Sequence, residues 1–356
     1  MKTLLSIILF SCFLNIYSCK FENTTLKEQN ENFTLPIKTG AEQTELYFPL
    51  IKGKKIGIMT NQTGTIGKTH IVDSLKNAGF NLIRVFGPEH GFRGDADAGE
   101  HVSSSVDKKT GIPINSLYDG NTGKPSVSLM KSIDVLLFDL QDVGVRFYTY
   151  LTTMAKMMEA CAENNVKMIV LDRPNPIGFY VDGPILDMKY RSAVGWLPIP
   201  TVHGMTLGEL AVMINGEKWL KDGIQCDLTV IKCKNYTHAT MYELPVKPSP
   251  NLPNMRSIYL YPSICYFEAT PVSLGRGTDF PFQVYGHPNM KGYDFSFTPR
   301  SVPGAKFPPQ LNRECFGVDL SSTPSIEEIN KAGINLEYVI DAYRNLNLDD
   351  HFFRSF

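Results

Sequence analysis

Short, mostly apolar runs recur along this chain, and a polar segment rich in glycine, proline or charge follows each of them. The runs cover residues 56–59, 82–86, 134–138 and 168–171. Continuous runs of this kind are typical of strands that are buried on both faces of a sheet. Because the polar segment always comes after the run, the sequence predicts that these loops meet at one edge of the sheet.

Amphipathic segments separate the apolar runs and predict helices. One predicted helix has Ile71, Val72 and Leu75 on a single face and ends near Gly79. Residues 151–158 show the apolar spacing of a second helix. Strands that alternate with helices favour a mostly parallel sheet with right-handed crossovers. The fold class is therefore predicted to be α/β, with a Rossmann-like sheet.

Two domains are predicted. The Rossmann-like domain covers residues 45–235 and includes a capping box between Thr206 and Glu209, which explains Glu209 without a catalytic role. Beyond it the sequence changes to proline-rich loops with frequent tyrosine and phenylalanine. We expect a smaller C-terminal α+β domain over residues 236–356, with helices sparse until Ser325.

The first residues have the layout of a secretory signal. A lysine precedes a short apolar run, and Cys19 follows directly on a serine, so residues 1–18 are predicted to be a lipoprotein signal with Cys19 as the acylated residue. The alternative is an ordinary signal peptide in which Cys19 is incidental. Residues 19–44 are polar and are predicted to be a flexible tether. The expected location is periplasmic, with a lipid anchor in the membrane.

Composition excludes several classes of function. The formal net charge is −1 and the basic residues are dispersed, so nucleic acid is not an expected partner. The chain has neither a dinucleotide-binding glycine fingerprint nor a P-loop, and no cofactor is expected. It also lacks the G-x-S-x-G elbow of serine hydrolases. No CxxC pair that would suggest a zinc cage occurs among the later cysteines, which are Cys161, Cys226, Cys233, Cys265 and Cys315.

The loop at residues 87–101 carries four carboxylates, two imidazoles and one guanidinium among four glycines. Such groups at a strand exit are candidates for acid–base chemistry. Glycoside hydrolysis needs two carboxyl groups, one of them protonated. Glu89 is the predicted general acid, and its partner is Glu268, which lies among apolar and aromatic neighbours, or Asp142 at another strand exit.

Two other functions remain open at this stage. A metal-dependent amidase or esterase acting on cell-wall fragments would use a set of acidic and imidazole ligands, although no metal-binding motif is present. The set comprises Glu89, His90, Asp95, Asp97, His101 and His203. A non-catalytic sugar-binding lipoprotein is the other alternative. Asp95 and Asp97 also have the spacing of residues that stabilise a glycine turn.

Several sequence blocks resemble those of one family, the exo-β-N-acetylmuramidases of the NamZ type (glycoside hydrolase family 171, formerly a domain of unknown function). The blocks are residues 86–94, 141–146, 172–176, 182–184, 200–206, 249–253 and 273–278. The resemblance implies release of N-acetylmuramic acid from the non-reducing ends of peptidoglycan fragments. It also implies a Rossmann-like domain joined to a smaller one, a site in the cleft between them, and Glu89 as the catalytic residue.

The chain departs from the family pattern at two places. Ala269 stands where the family usually has glycine, and we expect this change to narrow the loop beside Glu268. Similar proteins continue for some tens of residues after the equivalent of residues 352–356, so we expect either a shortened C-terminal domain or an incomplete sequence.

The implied substrate carries a lactyl carboxylate, so a cation at a fixed position should select it. Arginine offers a fork of N–H groups that suits a carboxylate. The candidates in the strand-exit loops are Arg93, Arg146, Arg173 and Arg276, of which Arg276 and Arg93 are favoured. His90, Asn175 and His203 are further candidates for substrate binding.

Overall fold

A seven-stranded sheet forms the centre of the N-terminal two thirds of the protein. The computed structural model describes residues 35–89, 91–92, 104–117 and 123–354. In chain order the strands of this part are β1 Ile56–Thr60, β2 Thr65–Ile66, β3 Thr69–His70, β4 Leu82–Gly87, β5 Ser105–Val106, β6 Pro113–Ser116, β7 Val135–Asp139, β8 Lys167–Leu171 and β9 Leu228–Ile231. β2 and β3 form a separate hairpin, and the other seven make the sheet.

The strands of the sheet lie in the order β5-β6-β4-β1-β7-β8-β9. Every neighbouring pair is parallel except β5 and β6. The six parallel strands, numbered along the chain, therefore lie in the Rossmann order 3-2-1-4-5-6. This order confirms the predicted Rossmann-like sheet and puts the exits of β1, β4, β7 and β8 at one edge.

Both faces of the sheet are buried, as the mostly apolar runs predicted. Ile58 and Leu137 belong to one apolar cluster, and Met59 and Phe138, their neighbours in sequence, belong to the other. Helices cover the two faces, and the described helices are α1 Thr44–Ile51, α2 Ile71–Asn77, α3 Val127–Met130, α4 Tyr150–Asn164, α5 Leu207–Gly216, α6 Met255–Ile264, α7 Ile326–Ala332 and α8 Glu337–Leu346. Among the described residues, no helix is both long and apolar enough to cross a membrane.

The segment before α1 packs against the sheet. Lys38 pairs with Lys234 in an antiparallel bridge, Ala41 is fully buried, and the amide of Gly40 donates to the carbonyl of Asp172 at 2.7 Å. A side chain at Gly40 would collide with the backbone of Ile231. The packed part of the chain therefore begins before residue 45, where we expected the tether to end.

The start of α5 contains the predicted capping box. Thr206 accepts from the amide of Glu209 at 3.2 Å, and Glu209 accepts from the amide of Thr206 at 2.9 Å. The Thr206 hydroxyl also donates to Asp172 Oδ2, and the amide of Gly208 donates to Asp172 Oδ1. Burial raises the pKa of Asp172 to about 6, although these hydrogen bonds oppose the shift.

The C-terminal part contains a three-stranded antiparallel sheet in the order β10-β12-β11, built from β10 Val284–His287, β11 Phe295–Phe297 and β12 Cys315–Asp319. The helix α6 was not predicted, because Pro262 lies inside it. A capping box between Asn254 and Ser257 stabilises its first turn. One apolar cluster includes residues from Met59 to Phe352, so the two parts of the chain share a core.

Candidate active site

A cavity of about 520 Å³ lies where the exits of β4 and β7 meet the C-terminal part. This volume is in the range of sites for small organic ligands. Its polar walls come from Glu89, Thr149, Ser249, Glu268 and Arg276. Two of the carboxylates predicted from the sequence therefore line the same space, although about 180 residues separate them in the chain.

Glu89 follows the end of β4, and its carboxylate lies beside the first turn of α4. The hydroxyl of Thr149, the N-cap residue of α4, donates a short hydrogen bond to Glu89 Oε2. The Thr149 side chain makes no capping bond to its own helix. Thr149 was not among the residues predicted from the sequence, although a threonine directly before a predicted helix at a strand exit is a signal for such a role.

Glu268 and Arg276 form an ion pair in the cavity wall. Glu268 lies in the 3₁₀ turn Cys265–Ala269 that follows α6. Nε and Nη2 of Arg276 both donate to Glu268 Oε1, at 3.1 and 2.6 Å. Burial by itself would lower the pKa of Arg276, but the charge of Glu268, its hydrogen bonds with Arg276 and smaller contributions from Tyr261 and Cys265 together outweigh burial and raise that pKa. Ala269, the residue after Glu268, also lines the cavity.

Aromatic rings form most of the remaining wall. Tyr261 packs edge to face against Phe147 and Phe282, with ring centroids 5.4 and 4.8 Å apart, and Phe147 also contacts Tyr266 at 6.2 Å. Such rings can stack on the apolar face of a sugar. Tyr266 is one of the aromatic neighbours of Glu268 that the sequence indicated, whereas Phe147, Tyr261 and Phe282 were not predicted.

Asp142 and His203 lie close to each other, and neither is among the residues that line the cavity. Asp142 Oδ2 accepts from the amide of Gly144 at 2.7 Å and lies 3.5 Å from His203 Nε2. His203 Nδ1 accepts from the amide of Met205 at 3.2 Å. The structure thus gives Asp142 a place in a loop turn, and Glu268 is the second carboxylate in the cavity.

Arg173 was expected to bind substrate, but it is buried in an ion pair with Asp139 at the end of β7. Its Nε lies 2.5 Å from Asp139 Oδ1, and its Nη2 donates to Asp139 Oδ2 and to the carbonyl of Thr65, both at 3.0 Å. The two side chains are 4% and 0% exposed. Arg173 therefore links the exit of β8 to the end of β7 and to the backbone of Thr65, and it is not among the residues that line the cavity.

Arg146 and Asn175, also expected to bind substrate, hydrogen-bond to loop backbone. Nη1 of Arg146 donates to two carbonyls at 2.7 Å, those of Pro184 and Ile199. Asn175 donates to the carbonyl of Met205 at 2.9 Å. Neither residue is among those that line the cavity. These polar side chains hold the exit loops in place, which explains their types without a ligand.

Other predicted positions lie outside the described residues, so the structure does not place them. These positions are Cys19, His90, Arg93, Asp95, Asp97 and His101. Within the described ranges, no group of three or more histidine, cysteine, aspartate or glutamate side chains could hold a metal ion.

Comparison with known proteins links the whole of this architecture to one family. The model of exo-beta-N-acetylmuramidase NamZ, N-terminal, matches residues 56–256, and the C-terminal model matches residues 259–355. The peptidoglycan beta-N-acetylmuramidase NamZ of Bacillus subtilis (strain 168) is 43% identical over 328 residues, which represent 87% of this chain and 77% of that protein.

Two solved structures of DUF1343 family proteins from Bacteroides fragilis NCTC 9343 are also similar. One is 62% identical with a TM-score of 0.83, and the match covers 90% of this chain and 86% of that chain. The other is 33% identical with a TM-score of 0.72, and the match covers 89% and 85%. The likeness thus includes both the sheet and the C-terminal part, which together form the cavity.

Proposed function

The chain belongs to the exo-beta-N-acetylmuramidase NamZ family, and from this premise we propose how its cavity hydrolyses a glycosidic bond. It is an exo-acting glycosidase that releases N-acetylmuramic acid from the non-reducing ends of peptidoglycan fragments. The observation that carries the mechanism is that Glu89 and Glu268 line one cavity of about 520 Å³. A pair of carboxyl groups in one sugar-sized space is what glycoside hydrolysis requires.

Glu89 is the general acid in this mechanism, and it protonates the leaving oxygen. The hydrogen bond from Thr149 fixes the direction of its carboxyl group. Glu268 is the partner that acts as a carboxylate, since it lies in an ion pair with Arg276. It acts either as the nucleophile or as the base that activates water, and the distance between the two carboxyl groups across a bound sugar determines which.

The aromatic walls support this mechanism. Phe147, Tyr261 and Tyr266 give the bound sugar apolar surfaces to stack on and displace water from around the reacting carboxyl groups. Electrostatic interactions are stronger in a site from which water is excluded. The same rings would also hold the sugar ring in one orientation between the two carboxyl groups.

Replacement of Glu89 tests the assignment of the acid. Glu89→Gln should lower hydrolysis of a natural muramic acid disaccharide by about 10²- to 10⁴-fold, because the leaving oxygen is no longer protonated. The rate of hydrolysis should fall less for an aryl muramic acid glycoside with an acidic leaving group. The exposed Glu337→Gln is the matched control. Wild-type rates from a folded Glu89→Gln protein on both substrates would contradict the mechanism.

Replacement of Glu268 tests the second carboxylate. Glu268→Gln should slow both substrates, and azide should restore turnover of the aryl glycoside if the missing group is a nucleophile or base. NMR of the first-formed anomer then separates retention from inversion. If the variant keeps wild-type rates on both substrates, Glu268 is not the partner.

We also propose that the protein is exported and anchored at the periplasmic side of a membrane through a lipid on Cys19. The support is the signal-like layout of residues 1–18 and the polar segment after it. The test is incorporation of labelled fatty acid and membrane fractionation of the full chain and of Cys19→Ser. Equal membrane association of the two proteins would contradict the anchor.

A further inference from the structure

Arg276 uses only one edge of its guanidinium for the ion pair with Glu268. Nε and Nη2 both donate to the same oxygen, Glu268 Oε1. Nη1 has no hydrogen-bond partner among the described residues and is not one of their buried, unsatisfied atoms. A guanidinium carries five N–H donors in a planar fork, so the edge formed by Nη1 and Nη2 can still receive a carboxylate.

The cavity has one described cation for its two described carboxylates. Arg276 is the only arginine, lysine or histidine among the described lining residues, which also include Glu89 and Glu268. Its charge is already matched by the carboxylate of Glu268. A second anion that enters this space must therefore share the guanidinium with Glu268 or remain without a described counter-charge.

The backbone and one ring hold this guanidinium in place. Gly275 and Gly277, on either side of Arg276, have φ values of +84° and +79°, and a side chain at Gly277 would collide with the carbonyl of Arg300. The Arg276 guanidinium lies over the ring of Phe282, 5.0 Å from its centroid. A guanidinium fixed in this way loses little freedom when a second carboxylate binds.

We propose that Arg276 holds two carboxylates at once, Glu268 on its Nε edge and the lactyl carboxylate of the substrate on its Nη1 edge. The proposal rests on the proposed function, since it takes the bound sugar to be N-acetylmuramic acid. When the substrate is bound, one positive charge is shared between two anions, and Glu268 is less fully neutralised. Glu268 is then a better nucleophile or base than it is with a sugar that lacks the acid.

Arg276 is therefore a specificity-determining residue whose effect extends to the chemical step. A glucosamine analogue leaves Glu268 fully paired and less reactive, so selection for muramic acid should appear in kcat as well as in KM. A site that bound the lactyl group equally strongly in the ground state and in the transition state would change KM alone.

The test compares three aryl glycosides with the same leaving group. The sugars are N-acetylmuramic acid, its lactyl amide, which has the same shape without the charge, and N-acetylglucosamine. With the wild-type protein, kcat for the acid should exceed kcat for the amide by roughly 10- to 100-fold, the size of a charged hydrogen-bonded pair. Because this comparison uses unaltered protein, it does not depend on the folding of any variant.

The second arm repeats the comparison with Arg276→Lys and Arg276→Ala, with the exposed Arg300→Lys as the control. The difference in kcat between acid and amide should disappear in both Arg276 variants and persist in the control. Equal kcat for the acid and the amide in the wild type overturns the proposal, and so does an undiminished difference in a folded Arg276 variant. If one of these two results is found and Glu89→Gln is inactive, the Arg276 proposal fails but the proposed function stands. Full activity of Glu89→Gln contradicts the proposed function by itself.

Discussion

Thr149 donates its hydroxyl hydrogen to Glu89 Oε2, so the N-cap residue of α4 orients the proposed acid. An N-cap side chain ordinarily accepts from an amide of its own first turn. The Thr149 side chain does not make that bond, and its hydroxyl donates to the carboxylate of Glu89 in the cavity wall. The helix gives up some of its own stabilisation and holds a carboxyl group in a defined direction.

Thr149→Val should lower kcat by about 10- to 100-fold with little change in KM, because the carboxyl group loses its orientation while the sugar-binding walls remain. Thr149→Ser keeps the hydroxyl and should recover most of the rate. Thr153→Val is the control, since Thr153 donates only to the backbone carbonyl of Thr149. A Thr149→Val protein with normal kcat would show that this bond does not position Glu89.

Arg173→Met should lower the free energy of unfolding by about 3–5 kcal/mol, because Asp139 is left buried and charged without its partner. Urea unfolding followed by circular dichroism measures the loss. The double variant Arg173→Met with Asp139→Leu should regain part of the stability. A loss below about 1 kcal/mol would show that the pair is not the anchor described above.

Stability should depend on pH through Asp172. Its folded pKa is raised from 3.8 to about 6, so its favourable contribution is complete below the unfolded value and is lost as pH rises through about 6. The free energy of unfolding of Asp172→Asn, measured relative to the wild type, should therefore rise by about 1–3 kcal/mol between pH 4 and pH 7.5. Urea unfolding at the two pH values measures this difference.

Asp187→Asn is the control of opposite sign for that experiment. A hydrogen bond from Lys189 lowers the pKa of Asp187, so its contribution is present above the unfolded pKa and is lost as pH falls. The free energy of unfolding of Asp187→Asn should not rise relative to that of the wild type as pH rises. If Asp172→Asn behaves in the same way as Asp187→Asn, the raised pKa of Asp172 is contradicted.

Tyr266→Ala should raise KM for the muramic acid glycoside by about 2- to 10-fold, because one stacking surface of the cavity is removed. Tyr266→Phe keeps the ring and should retain a near-normal KM. Steady-state kinetics of the two variants separate stacking from a role of the hydroxyl. An unchanged KM in Tyr266→Ala would show that this ring does not touch the sugar.

Incubation with EDTA should leave the activity unchanged, because the proposed mechanism uses carboxyl groups alone. Loss of activity that added zinc or manganese restores would favour the metal-dependent amidase or esterase that the sequence left open. The measurement is release of the aryl group before and after dialysis against the chelator.

The centre of the sheet could be predicted from the sequence because its main strands are largely apolar runs. Ile58 and Met59 pack on opposite faces, and only a strand covered on both sides needs apolar residues at both positions. The helix around Pro262 could not be predicted in this way, since proline argues against a helix interior. The structure shows that this helix begins at a capping box formed by Asn254 and Ser257.

The site could be predicted only in part, because convergence of loops does not specify the direction of side chains. Glu89 and Glu268 line the cavity, but Arg173, at an equally suitable strand exit, turns inward to Asp139. The sequence contains no local signal for that difference, since it depends on which buried carboxylate lies within reach. The pair of Glu268 and Arg276 likewise depends on the turns that bring the two side chains together.

The shared core has a consequence for how this enzyme can be altered. One apolar cluster continues from the sheet into the C-terminal part, and the cavity takes its walls from both. The two regions matched by separate family models are therefore not interchangeable modules. A chimera that joins one region to a relative's other region would need the buried residues at the junction to change together, so the two halves are constrained to evolve as a single unit.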